Sequence, residues 1–498
     1  MGMVATSELH AARAGAAVLA EGGTAVDAAV CAAACLTVTE PTSNGLGGDL
    51  FALVWDGDAV HALASSGAAP RALTLDAVGE AMPATGWLPV TVPGLVAGWG
   101  ALAERFCRFD LLRLLGPAIR HATEGFPVGP VTAAAWSRAR PHFADFAEWN
   151  RVFTVSGRAP RAGERWANPD LGRSLERIAR EGAGAFYGPL GRAIAAHAAE
   201  SGGYLTEADL AAHRVRWEQP LSVAFRGRQV VGMGAPTQGI VALRALGLLA
   251  PLTGVTLHDR IEAIKLAFAD AYASVSDPEW MDRPAASLLT ATSLDARRQA
   301  LDRERASPSP PPPGIDGGTV LVCTGDDDGR LCALIQSNFH GFGSGIVVPG
   351  TGIALHNRGL GFSLEPAHPN ALTPGKRPFH TILPALLLDA DGRGLGAFGW
   401  MGGQMQPQGH VQLVSGLAAG LSPQQVIDRR RWRWLDEGRV ALEWGFDPAL
   451  AADLEQRGHP VEEAVPPWHF GGAQAVLRTD GGLVGGSDRR KDGGVVRG

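Results

Sequence analysis

Apolar and polar positions fall into two textures along the chain: a helix-rich first two-thirds and a strand-rich last third. His10–Glu21 and Thr24–Thr37 are alanine-rich runs separated by Gly22–Gly23. The pattern predicts two helices, the glycine pair stopping the first and Thr24 capping the second. Phe51–Trp55 and Ala59–Ala64 alternate like strands around Asp56–Gly57–Asp58, which predicts a hairpin. Pro93–Gly94 opens a helical run over Leu95–Phe106, and from Leu111 to about Ala250 the spacing predicts mostly helix. Thr206 and Asp209, before Leu210–Ala212, have the form of a capping box. In His258–Val275 the stripe Ile261, Ile264, Phe268 and Tyr272 marks a core-facing helix.

Near residue 307 the pattern breaks. Ser307–Pro313 reads SPSPPPP, which supports neither a helix nor a central strand, and Gly314–Gly318 follows. Residues 307–318 are therefore expected to form an exposed, extended linker. Beyond it the spacing predicts a strand at Thr319–Thr324, a turn at Gly325–Gly329 and a strand at Leu331–Ser337. Further strands are expected at Thr381–Leu388, Gly394–Gly399, Ala473–Arg478 and Leu483–Gly486, and helices at Val411–Gly420 and Pro423–Arg431. No internal repeat is visible.

The composition narrows the function classes. With 46% hydrophobic and 19% charged residues over 498 positions, the chain can bury a large core. A net charge of −6 leaves no basic surplus for phosphates and argues against nucleic acid as a partner. The five cysteines make no disulfide framework; Cys31, Cys35, Cys323 and Cys332 read as small buried hydrophobes. Neither a C-x-x-C pair nor H-E-x-x-H occurs, so no metal and no cofactor is expected. Met1–Gly15 lacks the form of an export signal, and Ala25–Val38 is short for a membrane span and contains Asp27. These features predict a cytoplasmic location and no membrane partner.

Gly317–Gly318–Thr319 stands at the start of a strand directly after the linker. A strand-initial threonine is commonly a β-former and nothing more. The other reading is an N-terminal nucleophile: the Thr319 hydroxyl attacks the Gly318 carbonyl, an N→O acyl shift gives an ester, and hydrolysis frees the α-amine. That amine, ordinarily titrating near pH ~8, lies beside its own hydroxyl, so one residue supplies both base and nucleophile.

Residues 319–434 resemble the γ-glutamyltranspeptidase family of N-terminal-nucleophile hydrolases. The resemblance lies in TVLVCTGDDDGRLCALIQSNFHGFGSGIVVPGTGIALHNRGLGFS, HPNALTPGKRPFHTILPALLL, MGGQMQPQGHVQ and RWRW. NGLGGDLF at 44–51, VPGLVAGW at 92–99, GAFYG at 184–188, GGYLTEADLAAH at 202–213 and APTQGI at 235–240 extend it over nearly the whole chain. The resemblance implies an α/β fold, the four-layer αββα sandwich. It implies self-cleavage between Gly318 and Thr319 into an α chain, 1–318, and a β chain, 319–498, held as one heterodimer. It also implies an oxyanion hole at Gly402–Gly403, where glycine lets backbone N–H groups approach closely. Asn338 falls near a substrate-pocket asparagine, and the expected partner is a small-molecule amide.

Several positions depart from the family pattern. Ser66 stands where the family carries its glutamyl-binding arginine. Gly361, before Phe362–Ser363, stands where an acid holds the glutamyl ammonium, and His380 and Thr381 replace paired serines. Arginine–carboxylate and ammonium–carboxylate pairs are the main handles for a zwitterion, so their loss predicts hydrolysis without γ-glutamyl selectivity. That pattern resembles the divergent members, among them oxamate amidohydrolases and cephalosporin acylases. Arg358 or Arg377 stands as a candidate replacement for the missing arginine. The segment Asn370–Gly375 is too short for the family's lid insertion. His380 has two readings, a donor to substrate or a satisfied structural histidine, and His340 shares that ambiguity. Lys376–Arg377 are expected at the surface, and Arg429–Arg433 in a structural segment of ion pairs and stacking.

Other classes compete. A true γ-glutamyl hydrolase or transferase acting on glutathione would need replacement handles. A non-catalytic binding relative would not retain Thr319, Gly318 and Gly402–Gly403. NGLGGD lacks the spacing and the βαβ context of a dinucleotide site, and no G-x-S-x-G elbow points to a serine hydrolase.

Overall fold

Strand Gly318–Gly325 lies near the centre of a seven-stranded sheet, antiparallel to Met3–Thr6 on one side and Leu331–Phe339 on the other. Gly494–Arg497 flanks Met3–Thr6; Asp49–Trp55, Val60–Ser65 and Arg216–Glu218 complete the other side. A second sheet of six strands runs in the order Gly482–Ser487, Gly472–Thr479, Gly394–Met401, Pro384–Leu388, Arg228–Gly232, Leu221–Phe225. The structure is a computed structural model that describes residues 1–308, 317–435 and 437–498.

Side-chain alternation explains how the sheets stack. Phe51, Leu53, Leu321, Cys323 and Ile335 point from the first sheet toward Val231, Leu386, Ala397 and Val476 of the second, forming the middle of the core. Their neighbours Leu50, Ala52, Val320, Val322 and Leu334 face the other way, into helices Leu9–Ala20, Ala25–Thr39 and Leu111–Glu124. Helices Gly239–Leu249, Leu257–Ser274 and Met405–Ala418 cover the outer face of the second sheet. The result is helix, sheet, sheet, helix: the expected αββα sandwich. Every residue of Ala25–Thr39 is buried, and its start is held by the Thr24–Asp27 capping box. The capping box at Thr206–Asp209 is present as well.

Several boundaries differ from expectation. The stretch Leu111–Ala250 is mostly helical, as expected, but it also holds strands: Arg216–Glu218 is an edge strand, and Leu221–Phe225 and Arg228–Gly232 form a hairpin. Its two-residue turn has positive φ at Arg226 (50°) and Gly227 (78°), a hairpin signal that the surrounding helical spacing masks. The strand expected from Thr381 begins at Pro384, because the N–H groups of Ile382 and Leu383 bond to His380 Nδ1 and Gln406 Oε1 instead of a ladder. The helix expected from Val411 starts earlier, at Met405, and the one expected over Pro423–Arg431 ends at Ile427. All five cysteines are free; Cys31, Cys35, Cys323 and Cys332 are buried. Of the expected linker, residues 309–316 lie outside the described residues. Among the described residues no helix is long and apolar enough to cross a membrane.

Candidate active site

The Gly325–Gly329 turn sets the hairpin register, and with it the neighbour of Thr319. Gly325 pairs with Leu331 and Val320 with Gln336, so Thr319 lies opposite Ser337. Thr319 is buried, and its hydroxyl donates to Ser337 Oγ at 3.2 Å. Ser337 Oγ donates to the Gly318 carbonyl at 2.5 Å and accepts the Phe339 N–H at 2.8 Å. One hydroxyl thus joins the threonine oxygen to the carbonyl carbon it would attack. The register then slips by one residue, and Phe339 takes a left-handed φ of 75° opposite Gly318. Space at the junction is tight: a Cβ on Gly318 would lie 3.0 Å from Thr42 O, and one on Gly317 would lie 3.1 Å from Gly403 N.

Gly402 and Gly403, both with positive φ (109° and 55°), turn the chain from strand Gly394–Met401 into helix Met405–Ala418. The backbone of Gly403 therefore lies against the junction, at the head of a helix whose N-terminal dipole favours negative charge. Gln238 Nε2 fastens this turn, donating to Gly403 O at 2.7 Å and also to Thr381 O.

Beside Phe339 lies a buried polar group. The Arg358 guanidinium stacks 4.1 Å above the Phe339 ring and donates from Nη1 to Thr381 Oγ1 at 3.0 Å. Its Nε is 3.8 Å from Asp49 Oδ2, and Nε and Nη2 have no hydrogen-bond partner among the described residues. Asp49 Oδ2 accepts His380 Nε2 at 3.1 Å, and Oδ1 accepts the Gly94 N–H at 3.1 Å. Burial pushes the Asp49 carboxyl up to about 7 against the pull of Arg358, and lowers Arg358 to about 9 against the pull of Asp49. His356 donates Nε2–H to Thr91 O at 2.9 Å, so its bare Nδ1 faces Asp49 Oδ2 at 3.5 Å, an arrangement that favours a proton on Asp49. The Asn338 amide is buried with no partner for Oδ1 or Nδ2 among the described residues. The NGLGGD loop makes room for it: a Cβ on Gly48 would lie 2.7 Å from Asn338 Oδ1.

The other sequence candidates sort by what surrounds them. His380 is wholly buried, with Nε2 on Asp49 and Nδ1 accepting the Ile382 N–H, so both ring nitrogens have partners inside the protein. Burial holds it neutral, well below the usual histidine range. Gly361 leaves no room for an acid, because a Cβ would sit 2.4 Å from Phe379 O. Ser66 is buried in the wall of a cavity of about 220 Å³, which Arg71, Arg214, Arg216 and Arg377 also line. The surface placement of Lys376 and Arg377 is wrong. Arg377 is buried with a two-bond fork onto Asp277 (Nε 3.1 Å, Nη2 2.8 Å), and Lys376 Nζ bonds Pro369 O beneath Trp280. Ser337, Asp49 and Gln238 escaped the sequence reading; counting the hairpin register back from Gly325–Leu331 would have found Ser337.

Among the described residues, His258, Glu262 and His459 also gather ligand-type atoms. Their atoms are engaged with protein: His459 Nε2 with His258 Nδ1 (2.8 Å), His258 Nε2 with Asp302 O (2.9 Å), and Glu262 with Lys265 (2.8 Å) and the Ser307 N–H (3.1 Å). This cluster fastens the chain at the beginning of the linker.

The model of the family described as Gamma-glutamyltranspeptidase matches residues 11–498. The chain belongs to the gamma-glutamyltranspeptidase family. It is an enzyme of that family's amidohydrolase and acyltransferase class. It is similar to the oxamate amidohydrolase proenzyme of Klebsiella pneumoniae subsp. pneumoniae, at 37% identity over 99% of this chain and 98% of the relative. It is also similar to the glutathione hydrolase-like YwrD proenzyme of Bacillus subtilis, at 34% identity over 99% and 98%. The crystal structure of cephalosporin acylase from Bacillus halodurans superposes with a TM-score of 0.95 and 42% identity, covering 100% of this chain and 96% of that one.

Proposed function

We propose that the chain cuts itself between Gly318 and Thr319, and that the freed Thr319 hydrolyses a small amide through an acyl-enzyme ester. The observation that carries this is the hydrogen-bonded path from Thr319 Oγ1 through Ser337 Oγ to the Gly318 carbonyl. Ser337 polarises the carbonyl and orients the nucleophile. The Thr319 oxygen bonds to the Gly318 carbon, the C–N bond breaks, and the departing nitrogen takes a proton. Water then hydrolyses the ester, leaving a carboxylate on Gly318 and an amine on Thr319. In turnover that amine takes the Thr319 hydroxyl proton as the oxygen attacks the substrate carbonyl. The Gly402 and Gly403 N–H groups stabilise the tetrahedral oxyanion.

The two pieces, 1–318 and 319–498, stay together as a heterodimer in this reading. Each sheet holds strands from both, and in the seven-stranded sheet they interleave, with Gly318–Gly325 and Leu331–Phe339 hydrogen-bonded between Met3–Thr6 and Asp49–Trp55. Separating them would expose the apolar middle layer to water.

The acyl group in this reading is small and not zwitterionic, with an oxamate-like amide as the first candidate, and the site works in the cytoplasm. The name of the Klebsiella relative supports it, as does the crowding at Gly361, which excludes the acid an ammonium group needs. A denaturing gel tests the cutting: two pieces are expected, the smaller starting Thr-Val-Leu-Val, and a single intact band after prolonged incubation at neutral pH refutes it. Assays with oxamate, glutathione and a γ-glutamyl anilide test the substrate. Efficient turnover of either γ-glutamyl compound, with kcat/KM above about 10⁴ M⁻¹s⁻¹, overturns the specificity reading.

A further inference from the structure

A buried guanidinium is ordinarily saturated with hydrogen bonds, because each unmet donor forfeits its hydration. Arg377 meets that rule: its Nε and Nη2 form the two-pronged edge that grips the Asp277 carboxylate. Arg358 is fully buried too, yet the same edge, Nε and Nη2, has no hydrogen-bond partner among the described residues. Asp49, the acid beside it, makes no hydrogen bond to it at 3.8 Å. Asp49 is already satisfied by His380 and Gly94. The remaining nitrogen, Nη1, is fixed by Thr381 Oγ1, and the guanidinium plane rests on Phe339, so the unused edge is held in one orientation. Phe339 ties this arrangement to the chemistry, since its N–H bonds the Ser337 oxygen that also receives the Thr319 hydroxyl. The side-chain amide of Asn338, the residue before it, adds a second buried polar group with no partner among the described residues.

From this geometry we infer that Arg358 is the receptor for a carboxylate carried on the acyl side of the substrate, close to the scissile carbonyl. The assignment rests on the amidohydrolase reading of Thr319 and names its substrate class: amides of short acids bearing a second carboxylate, of which oxamate is the smallest. Arg358 takes the place of the arginine that Ser66 replaces, but from a different strand connection. Thr381 positions the fork, and Asn338 meets the substrate beside it.

The test is calorimetric binding of oxalate to the processed enzyme, compared with R358Q, R358K, T381V and R216Q. Oxalate is the acid that hydrolysis of oxamate releases, keeps the acyl group's carboxylate, and needs no turnover. The wild type should bind it. R358Q should weaken binding at least tenfold and R358K should recover part of the loss, since lysine restores the charge but not the fork. T381V, which releases Nη1, should weaken binding about threefold, and R216Q, in the arginine-lined cavity beside Ser66, should leave it unchanged. The melting temperature of R358Q and its self-cutting on a denaturing gel show whether it is folded. If R358Q does not fold, T381V alone decides, and unchanged binding in it counts against the assignment. Oxalate binding that survives R358Q, binding lost with R216Q instead, or an active wild type that binds no oxalate overturns the assignment. An enzyme that binds oxalate through Arg358 but neither cuts itself nor turns over an amide overturns the Thr319 reading alone.

Discussion

Arg358 and Arg431 stack in the same way on different sheets, each guanidinium 4.1 Å from an aromatic centroid: Phe339 of the seven-stranded sheet and Trp400 of the six-stranded one. Both are fully buried. Their hydrogen bonds differ. Arg431 reaches Asp488, Ile427 O (3.1 Å) and Phe470 O (3.1 Å). Asp488 is bonded further by Ala473 N (2.8 Å) and Arg490 (3.2 Å), and Arg490 grips Glu443 with two bonds of 2.7 Å. Among the described residues only Nε of Arg431 is left without a partner, against a whole fork of Arg358. Burial and stacking alone therefore do not separate a structural arginine from a binding one; the completeness of the hydrogen bonds does. The Arg431 knot is closed on itself and joins strands to helices, as the RRRWR segment led one to expect. The Arg358 group is incomplete and adjoins, through Phe339, the Thr319–Ser337 pair.

The largest effect should come from T319A, which removes the nucleophile of both reactions. Cutting and turnover should be abolished, read by gel and by amide assay, with little change in melting temperature; residual cutting in T319A would detach the site from Thr319. Next comes D488A on the structural side. Removing one partner of a buried ion pair costs about 3–5 kcal/mol, so the denaturation midpoint should fall sharply while kcat per folded enzyme holds; an intact midpoint would erase the contrast with Arg358. S337A should slow self-cleavage by about 10²-fold, the lower range for a group that handles a proton in the transition state. A cutting rate equal to wild type would reduce Ser337 to a packing role.

The smallest effect concerns pH. Asp49 titrates near 7 in the folded protein, raised by burial, against about 4 when unfolded. Between those values the folded state holds a proton that the unfolded state has released, so this group's contribution to stability falls as pH rises from about 4 to 7. His356 and His380, both depressed and facing Asp49, act in the opposite sense, losing stability as pH drops below their ordinary value. The difference between wild type and D49N isolates the carboxyl: D49N should gain relative stability across pH 4–7, measured by denaturant titration at several pH values. A difference that does not change with pH would mean that Asp49 is ionised throughout.

Much of the first level was legible in the chain. Continuous apolar runs located the central strands, since a strand buried on both faces must be apolar at every position, and alanine-rich runs, the second capped by Thr24, located the inner helices. The linker break and the residues at Gly317–Gly318–Thr319 pointed to the junction, and MGGQ pointed to the turn at Gly402–Gly403. Legibility failed wherever a residue's partner is distant in sequence. Lys376 and Arg377 look like surface cations, but Asp277 neutralises Arg377 from 100 positions away. His380 reads equally as a substrate donor or a satisfied structural histidine, because the Asp49 bond that bears on the choice crosses 331 positions.

The sequence by itself determined the layers and the family and pointed to Thr319, because periodicity, a strand-initial threonine and ordered motifs are local properties. Tertiary structure alone decided which polar groups are left wanting a partner. Ser66, Gly361 and His380 marked the site by what they lack or replace. The fold shows one residue to be too crowded, one to be satisfied, and Arg358 to hold an open fork. Whether a buried polar group is complete depends on atoms brought in from distant strands, and no local pattern records it.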